Sequence, residues 1–213
     1  TCLAVAAAAP AAADAPLWIE HDRATAQAVQ MAQILATAGD WGLRSEDYAG
    51  AALAAAAQSL RQRAATPAEA SRFDAQLSSA ARHLVHDLHQ GRVDPRAAGF
   101  ELDTPRPEFD AADAVARLAR AADVGVALSA VEPPFYHYAL LKTALIRYRH
   151  LDRDRSLTQL PKPALRTVKP GQDYAGAAAL RRLLFELGDL ASPEGAGAQL
   201  DAALVAALQR FQR

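Results

Sequence analysis

Apolar side chains along this chain recur every three to four residues and rarely alternate. That is the period of a helix burying one face. Val29, Ile34 and Leu35 mark a first helix across Arg23 to Ala38, closed by Gly39. Ser45 is placed to cap a second, running to about Arg63, with Glu46 and Asp47 favourably set in its first turn. Thr66-Pro67-Ala68-Glu69 is a fuller start signal: a capping box with proline at the first helical position. The long helix it opens buries Phe73, Leu77, Ala80, Ala81, Leu84 and Leu88, and Gly91 ends it. Asp110 caps a helix through about Ala122. Pro133-Pro134 opens another, in which Tyr138, Leu141, Leu145 and Tyr148 repeat as a core stripe. Two further stripes follow: Leu180, Leu183, Leu184 and Leu187, closed by Gly188, then Leu200, Leu204, Leu208 and Phe211. No segment reads as a convincing strand, so the expected fold class is all-α.

Two stretches interrupt the helices. Pro95, Gly99, Pro105 and Pro107 predict an ordered surface loop, with Val93, Phe100 and Leu102 available to pin it down. Pro161, Pro163, Pro170 and Gly171 mark the best domain boundary. The last two stripes bury little area as a pair. They are expected to want a third partner, which the chain ends before supplying.

Composition narrows the function classes. Of 213 residues, 51% are hydrophobic and 22% charged, so a packed core is expected rather than disorder. A net charge of −1 argues against nucleic-acid binding through a basic field. Alanine makes up about a quarter of the chain and aromatics 6%, both favouring helix. Cys2 is the single cysteine and allows neither an intrachain disulfide nor a CxxC pair. Thr1 to Ala13 carries no charge and ends on Ala11-Ala12-Ala13, as the tail of a cleaved secretory signal would; a disordered Ala-rich linker is the alternative. At that length it is too short to span a bilayer.

Candidate chemistry is sparse. His83, His86, Asp87 and His89 fall within HLVHDLHQ. At about 100° per residue, His83 and His86 lie about 60° apart and could share a metal, with Asp87 one turn beyond His83. The third histidine lies about 120° from the first, no fourth ligand is evident, and a solvated surface is the simpler reading. Serine, histidine and aspartate are all present, but no G-x-S-x-G elbow is, nor a G-x-G-x-x-G, Walker A or H-E-x-x-H motif. RHLDRDR (149–155) reads as a solvated helix end. Phe135, Tyr136, Tyr138 and Tyr148 could stack on a sugar ring, although the spacing of Tyr138 and Tyr148 suits a core. No catalytic residue, metal site or cofactor is assigned.

Three stretches resemble one family, the exported murein L,D-transpeptidases with an N-terminal helical scaffold domain and a peptidoglycan-binding domain. The first is WGLRSEDY (41–48), similar to a short turn between scaffold helices. The second runs from Phe73-Asp74 and Leu77-Ser78 to DLHQGRVDP (87–95), resembling the scaffold's long helix and its exit loop. The third runs from EPPFYHYALLKTALIRY (132–148) to VKPGQDYAGAAALRRLLFELGDL (168–190), followed by ALVAALQRFQR with its Phe211-Gln212 pair. The resemblance implies a leader at 1–16, a helical scaffold domain at 17–158, a linker at 159–171 and two helices of an incomplete three-helix peptidoglycan-binding domain at 172–213. It further implies a periplasmic, cell-wall-associated protein whose partners are peptidoglycan and a catalytic domain C-terminal to Arg213.

The family's reaction uses a cysteine nucleophile in Ser-x-Gly-Cys, after a histidine, to attack a stem-peptide carbonyl; a neighbouring stem's amine resolves the thioester. No cysteine follows Cys2, so no catalytic residue carries over. The expected role is to position such a domain on murein. A periplasmic helical adaptor for a protein partner is the alternative, and a histidine-rich metal carrier a third reading.

Overall fold

The computed structural model describes residues 16–93, 95–100, 108–163, 167–195 and 197–213. The expected leader up to residue 15, with Cys2, and the loop residues Leu102, Pro105 and Pro107 lie outside them. Among the described residues the fold is all-α apart from one small hairpin. It divides into two compact units, up to Ala139 and from Leu140 onward.

The first unit opens on strands β1 (Ile19–Glu20) and β2 (Arg23–Ala24), paired antiparallel through a turn in which His21 and Asp22 have positive φ. This corrects the expectation of no strand, and of a helix already at Arg23. The hairpin exists because other elements hold it. Buried Trp18 donates its backbone N–H to Asp74 at 2.8 Å and its indole N–H to Ser78 at 2.9 Å. Arg61 donates to the Ala24 carbonyl at 3.1 Å, and the Ala65 N–H to that of Asp22 at 2.7 Å.

Helix α1 (Ala26–Ala36) starts where the Thr25 hydroxyl accepts from the Ala28 N–H. It does not end at Gly39. A 3₁₀ turn, Ala38–Trp41, follows and closes at Gly42 with φ 75°. Ser45 likewise begins a second 3₁₀ turn, Ser45–Tyr48, rather than capping the next helix. Ala49, at φ 51°, then admits α2 (Gly50–Gln62). Gly50 touches the preceding helix so closely that a Cβ there would lie 2.3 Å from the Leu35 carbonyl oxygen.

Helix α3 (Pro67–Gln90) has both halves of its capping box in place and buries Phe73, Leu77, Ser78, Ala81, Leu84, Val85 and Leu88. Helix α4 (Ala111–Arg120) is capped by Asp110 as expected, and α5 (Val124–Ser129), absent from the sequence reading, is capped by Asp123. Side chains of α1 tie the α4–α5 turn: Gln27 donates to the Ala121 carbonyl at 3.0 Å, and Gln30 accepts from the Val124 N–H at 2.9 Å. All five helices share one core around Met31, Leu35, Leu84, Val115, Val124 and Leu128. Val93 and Phe100 are exposed and do not pin their loop; Phe109 does, stacking on His89 at 4.1 Å.

Helix α6 (Tyr136–Arg153) corrects a further expectation. Its apolar stripe is not core: Leu141 is 69% and Tyr148 57% exposed, Tyr138 is half-buried, and only Leu151 is buried along its length. The second unit continues with α7 (Arg155–Thr158), α8 (Ala177–Glu186) and α9 (Ala202–Phe211). Asp154 caps α7 and meets Arg182 at 3.4 Å, so the charged run at 149–155 is tied down at its end. The α8–α9 pair does not stand alone. Leu190 and Leu200 enter its core with Leu180, Leu184 and Leu204, while Leu160, Val168 and Tyr174 pack against it. An antiparallel bridge between Asp173 and Gln199 clips the flanking loops together. Arg181, only 3% exposed, pairs with Asp201, which also caps α9 through the Leu204 N–H. Among the described residues, no helix is long and apolar enough to cross a membrane.

Candidate functional site

The two 3₁₀ turns after α1 aim Tyr48 inward, and Gly91, with φ 78°, turns the chain at the end of α3. These local bends bring 41–48 and 87–95 together. The Tyr48 ring is buried and its hydroxyl donates to Asp87 Oδ2 at 2.6 Å. Arg92 bridges back, with Nη1 2.8 Å from Asp47 Oδ2 and Nε 3.7 Å from Asp87 Oδ2. Arg44 Nε lies 4.0 Å from both Glu46 and Asp47. Asp47 and Asp87 are thus held by one guanidinium, and Tyr48 donates to the second of them.

Burial first, then the hydrogen bond to Asp87 and that carboxylate's charge, push the Tyr48 phenol well above its ordinary value of 10.0. A phenol held neutral and donating to a carboxylate is neither a nucleophile nor a base. Chemically this is a clasp, fastening the 3₁₀ turn to the end of α3.

Beside the clasp lies a hollow of about 400 Å³ between α2 and α3. Glu46, Asp47 and Tyr48 close one end; Ala49, Ala52, Leu53 and Ala56 form one wall; Gln76, Ser79, Ala80 and His83 form the other. A second hollow of about 170 Å³ shares Ala56 and Gln76 with the first and ends at Arg63, Glu69 and Arg72.

The histidine cluster comes apart in three dimensions. The rings of His83 and Tyr48 meet edge to face, with centroids 6.0 Å apart. His86 Nδ1 lies 3.6 Å from Asp87 Oδ1. His89 faces elsewhere, with Nδ1 3.2 Å from the Val131 carbonyl and its ring on Phe109. Asp87, read from the sequence as part of a solvated face, is mostly buried and engaged by Tyr48 and Arg92. Among the described residues, no three His, Cys, Asp or Glu side chains converge on a point that would hold a metal. Ser79, His83 and Asp87 recur every four residues along α3, and no hydrogen bond links one to the next. Of the aromatics considered for sugar stacking, Phe135, Tyr136 and Tyr148 are exposed.

Reading the residues singly misses the clasp. Asp47 and Arg92 are 45 positions apart and no spacing rule joins them. The one signal was that both lie in stretches resembling the same family.

A family model described as Scaffold domain matches residues 10–145. No curated protein and no solved structure matches the chain. The matched residues take in the clasp and both walls of the hollow and make up more than half of the 213-residue chain, which therefore belongs to the Scaffold domain family.

Proposed function

We propose that this chain is the non-catalytic N-terminal part of a protein resembling an exported L,D-transpeptidase, and that it positions a catalytic domain on the cell wall. One observation carries the reading. The stretches WGLRSEDY and DLHQGRVDP, each resembling the scaffold of that family, meet in the Tyr48–Asp87–Arg92–Asp47 clasp inside the matched Scaffold domain. In the same reading, α8 and α9 are the first helices of a peptidoglycan-binding domain, and the protein works in the periplasm. A wall-binding arm tethered to an active site raises the site's effective concentration at its polymer without new catalytic contacts. Cys2 being the sole cysteine, acyl transfer belongs in this reading to a domain beyond Arg213.

Co-sedimentation with isolated sacculi tests the binding half: retention of the purified chain supports it, and a chain left in the supernatant counts against it. Sequencing the reading frame past Arg213 tests the other half. A histidine followed by Ser-x-Gly-Cys supports the reading, whereas an immediate stop codon removes it. The alternative, a periplasmic helical adaptor for a protein partner, draws on the exposed apolar side chains before residue 160, among them Phe135, Tyr136, Leu141 and Tyr148.

A further inference from the structure

The two hollows share Ala56 and Gln76 in their linings, so they adjoin end to end along the seam between α2 and α3 as two parts of a groove. Its cause lies in side-chain volume. On the α2 side Ala49, Ala52 and Ala56, which reach no further than Cβ, line the first half with Leu53, and Ser59 and Leu60 continue the wall towards Arg63. The α3 side contributes Gln76, Ser79, Ala80 and His83, the i, i+3, i+4, i+7 set of one helical face. From Ala49 to Arg63, at about 1.5 Å per residue, the groove runs for about 20 Å. That matches about six residues of extended chain at roughly 3.3 Å each.

Chemistry selects the occupant. The Gln76 amide and Ser79 hydroxyl line the groove and make no hydrogen bond to another described residue. Together they offer donors and acceptors suited to a peptide backbone. The ends carry opposite charge. Near the clasp, Glu46, Asp47 and Asp87 against Arg44 and Arg92 leave one net negative charge. At the far end, Arg63 and Arg72 against Glu69 leave one net positive charge. We propose that this groove binds an extended polypeptide segment with small side chains against the alanine wall, its cationic end beside Glu46 and Asp47 and its anionic end at Arg72. A neutral glycan would not use that charge order. The inference stands whether or not the chain serves a cell-wall enzyme.

The test titrates the isotope-labelled 213-residue chain with the peptide Lys-Ala-Ala-Ala-Ala-Glu and follows backbone amide shifts. Saturable shifts confined to 46–63 and 69–83 are expected. Ala56→Leu, which fills the junction of the two hollows, is expected to weaken binding about tenfold, equivalent to about 1.4 kcal/mol. Arg72→Glu is expected to weaken this peptide by up to about fivefold, the reach of an exposed ion pair. The same variant, now net negative at both ends, is expected to bind Lys-Ala-Ala-Ala-Ala-Lys-amide better than the parent does, a switch that an unfolded variant cannot produce. No shift up to about 10 mM peptide, shifts elsewhere, or a parent chain that responds equally to Lys-Ala-Ala-Ala-Ala-Glu and Lys-Ala-Ala-Ala-Ala-Lys-amide would overturn the proposal. So would chitotetraose moving the same amides where the peptides do not, which would make the groove a glycan site.

Discussion

Tyr48 places its ring in the core of the first unit and its hydroxyl on a carboxylate already held by Arg92. Tyr48→Phe leaves the ring packing and removes one hydrogen bond to a charged group, for an expected loss of about 2 kcal/mol in urea unfolding. The pH dependence has a definite sign. The folded state raises this phenol above its ordinary value of 10.0, so the stability it contributes is complete below that pH. It is lost as pH rises beyond it, towards the folded-state value. Unfolding measured at about pH 8 and about pH 11 should therefore show an alkaline loss that Tyr48→Phe reduces. Gly50 acts through space rather than charge. A Cβ would sit 2.3 Å from the Leu35 carbonyl oxygen, with backbone rather than a yielding side chain in the way. Gly50→Ala is expected to cost about 3 kcal/mol by forcing α1 and α2 apart. Neither effect is readable from residue type alone: a glycine in an alanine-rich run looks like a weak point in a helix, and only the neighbouring helix makes it a requirement.

The start of α3 shows how much an element can declare in sequence. Thr66 accepts from the Glu69 N–H, and the Glu69 carboxylate accepts from the Thr66 N–H at 2.9 Å. Arg63 adds a 2.7 Å ion pair, and chiefly through it, then through Thr66, the Glu69 carboxyl is lowered to about 2. Thr66→Ala is expected to cost about 1 kcal/mol, measured by chemical unfolding. For Glu69 the sign is the reverse of that for Tyr48. Its contribution is present above the ordinary carboxyl value of 4.5 and is lost as pH falls towards 2. Glu69→Gln should accordingly flatten the acid limb of the stability profile between those values and leave the alkaline limb unchanged. This box, the Asp110 cap and the Gly91 stop were all legible because their partners lie within a few residues. The hairpin at 19–24 was not, because Trp18, Ala24 and Asp22 bond to Ser78, Arg61 and Ala65, at separations no local pattern encodes.

Across the molecule, two cores are built from separate stretches of chain, one centred on α1 to α5 and the other on α8 and α9. Leu84 is wholly buried in the first and Leu184 almost wholly in the second. Replacing either with alanine is expected to cost about 2–5 kcal/mol. Leu184→Ala should lower one thermal transition and leave the near-ultraviolet signal of buried Trp18 unchanged at that temperature, while Leu84→Ala should do the converse. A single transition shifted equally by both would show that the units melt as one. Helical period alone was enough for the all-α class and for most core positions, because burying one face imposes that period wherever a helix meets a core. It failed for α6, where the pattern of Tyr138, Leu141, Leu145 and Tyr148 is amphipathic but Leu141 and Tyr148 stay exposed. A stripe records what a helix is able to bury; whether a neighbour is present to cover it is a fact of the assembled chain. The clasp and the groove belong to that second kind. One joins charges 45 positions apart, and the other is the space left between two helices, one of which presents alanines. Local rules reach about one helical turn, so caps, turns and periods were written in the residues themselves, while pairings across the fold and the gaps between elements arose only when the helices packed.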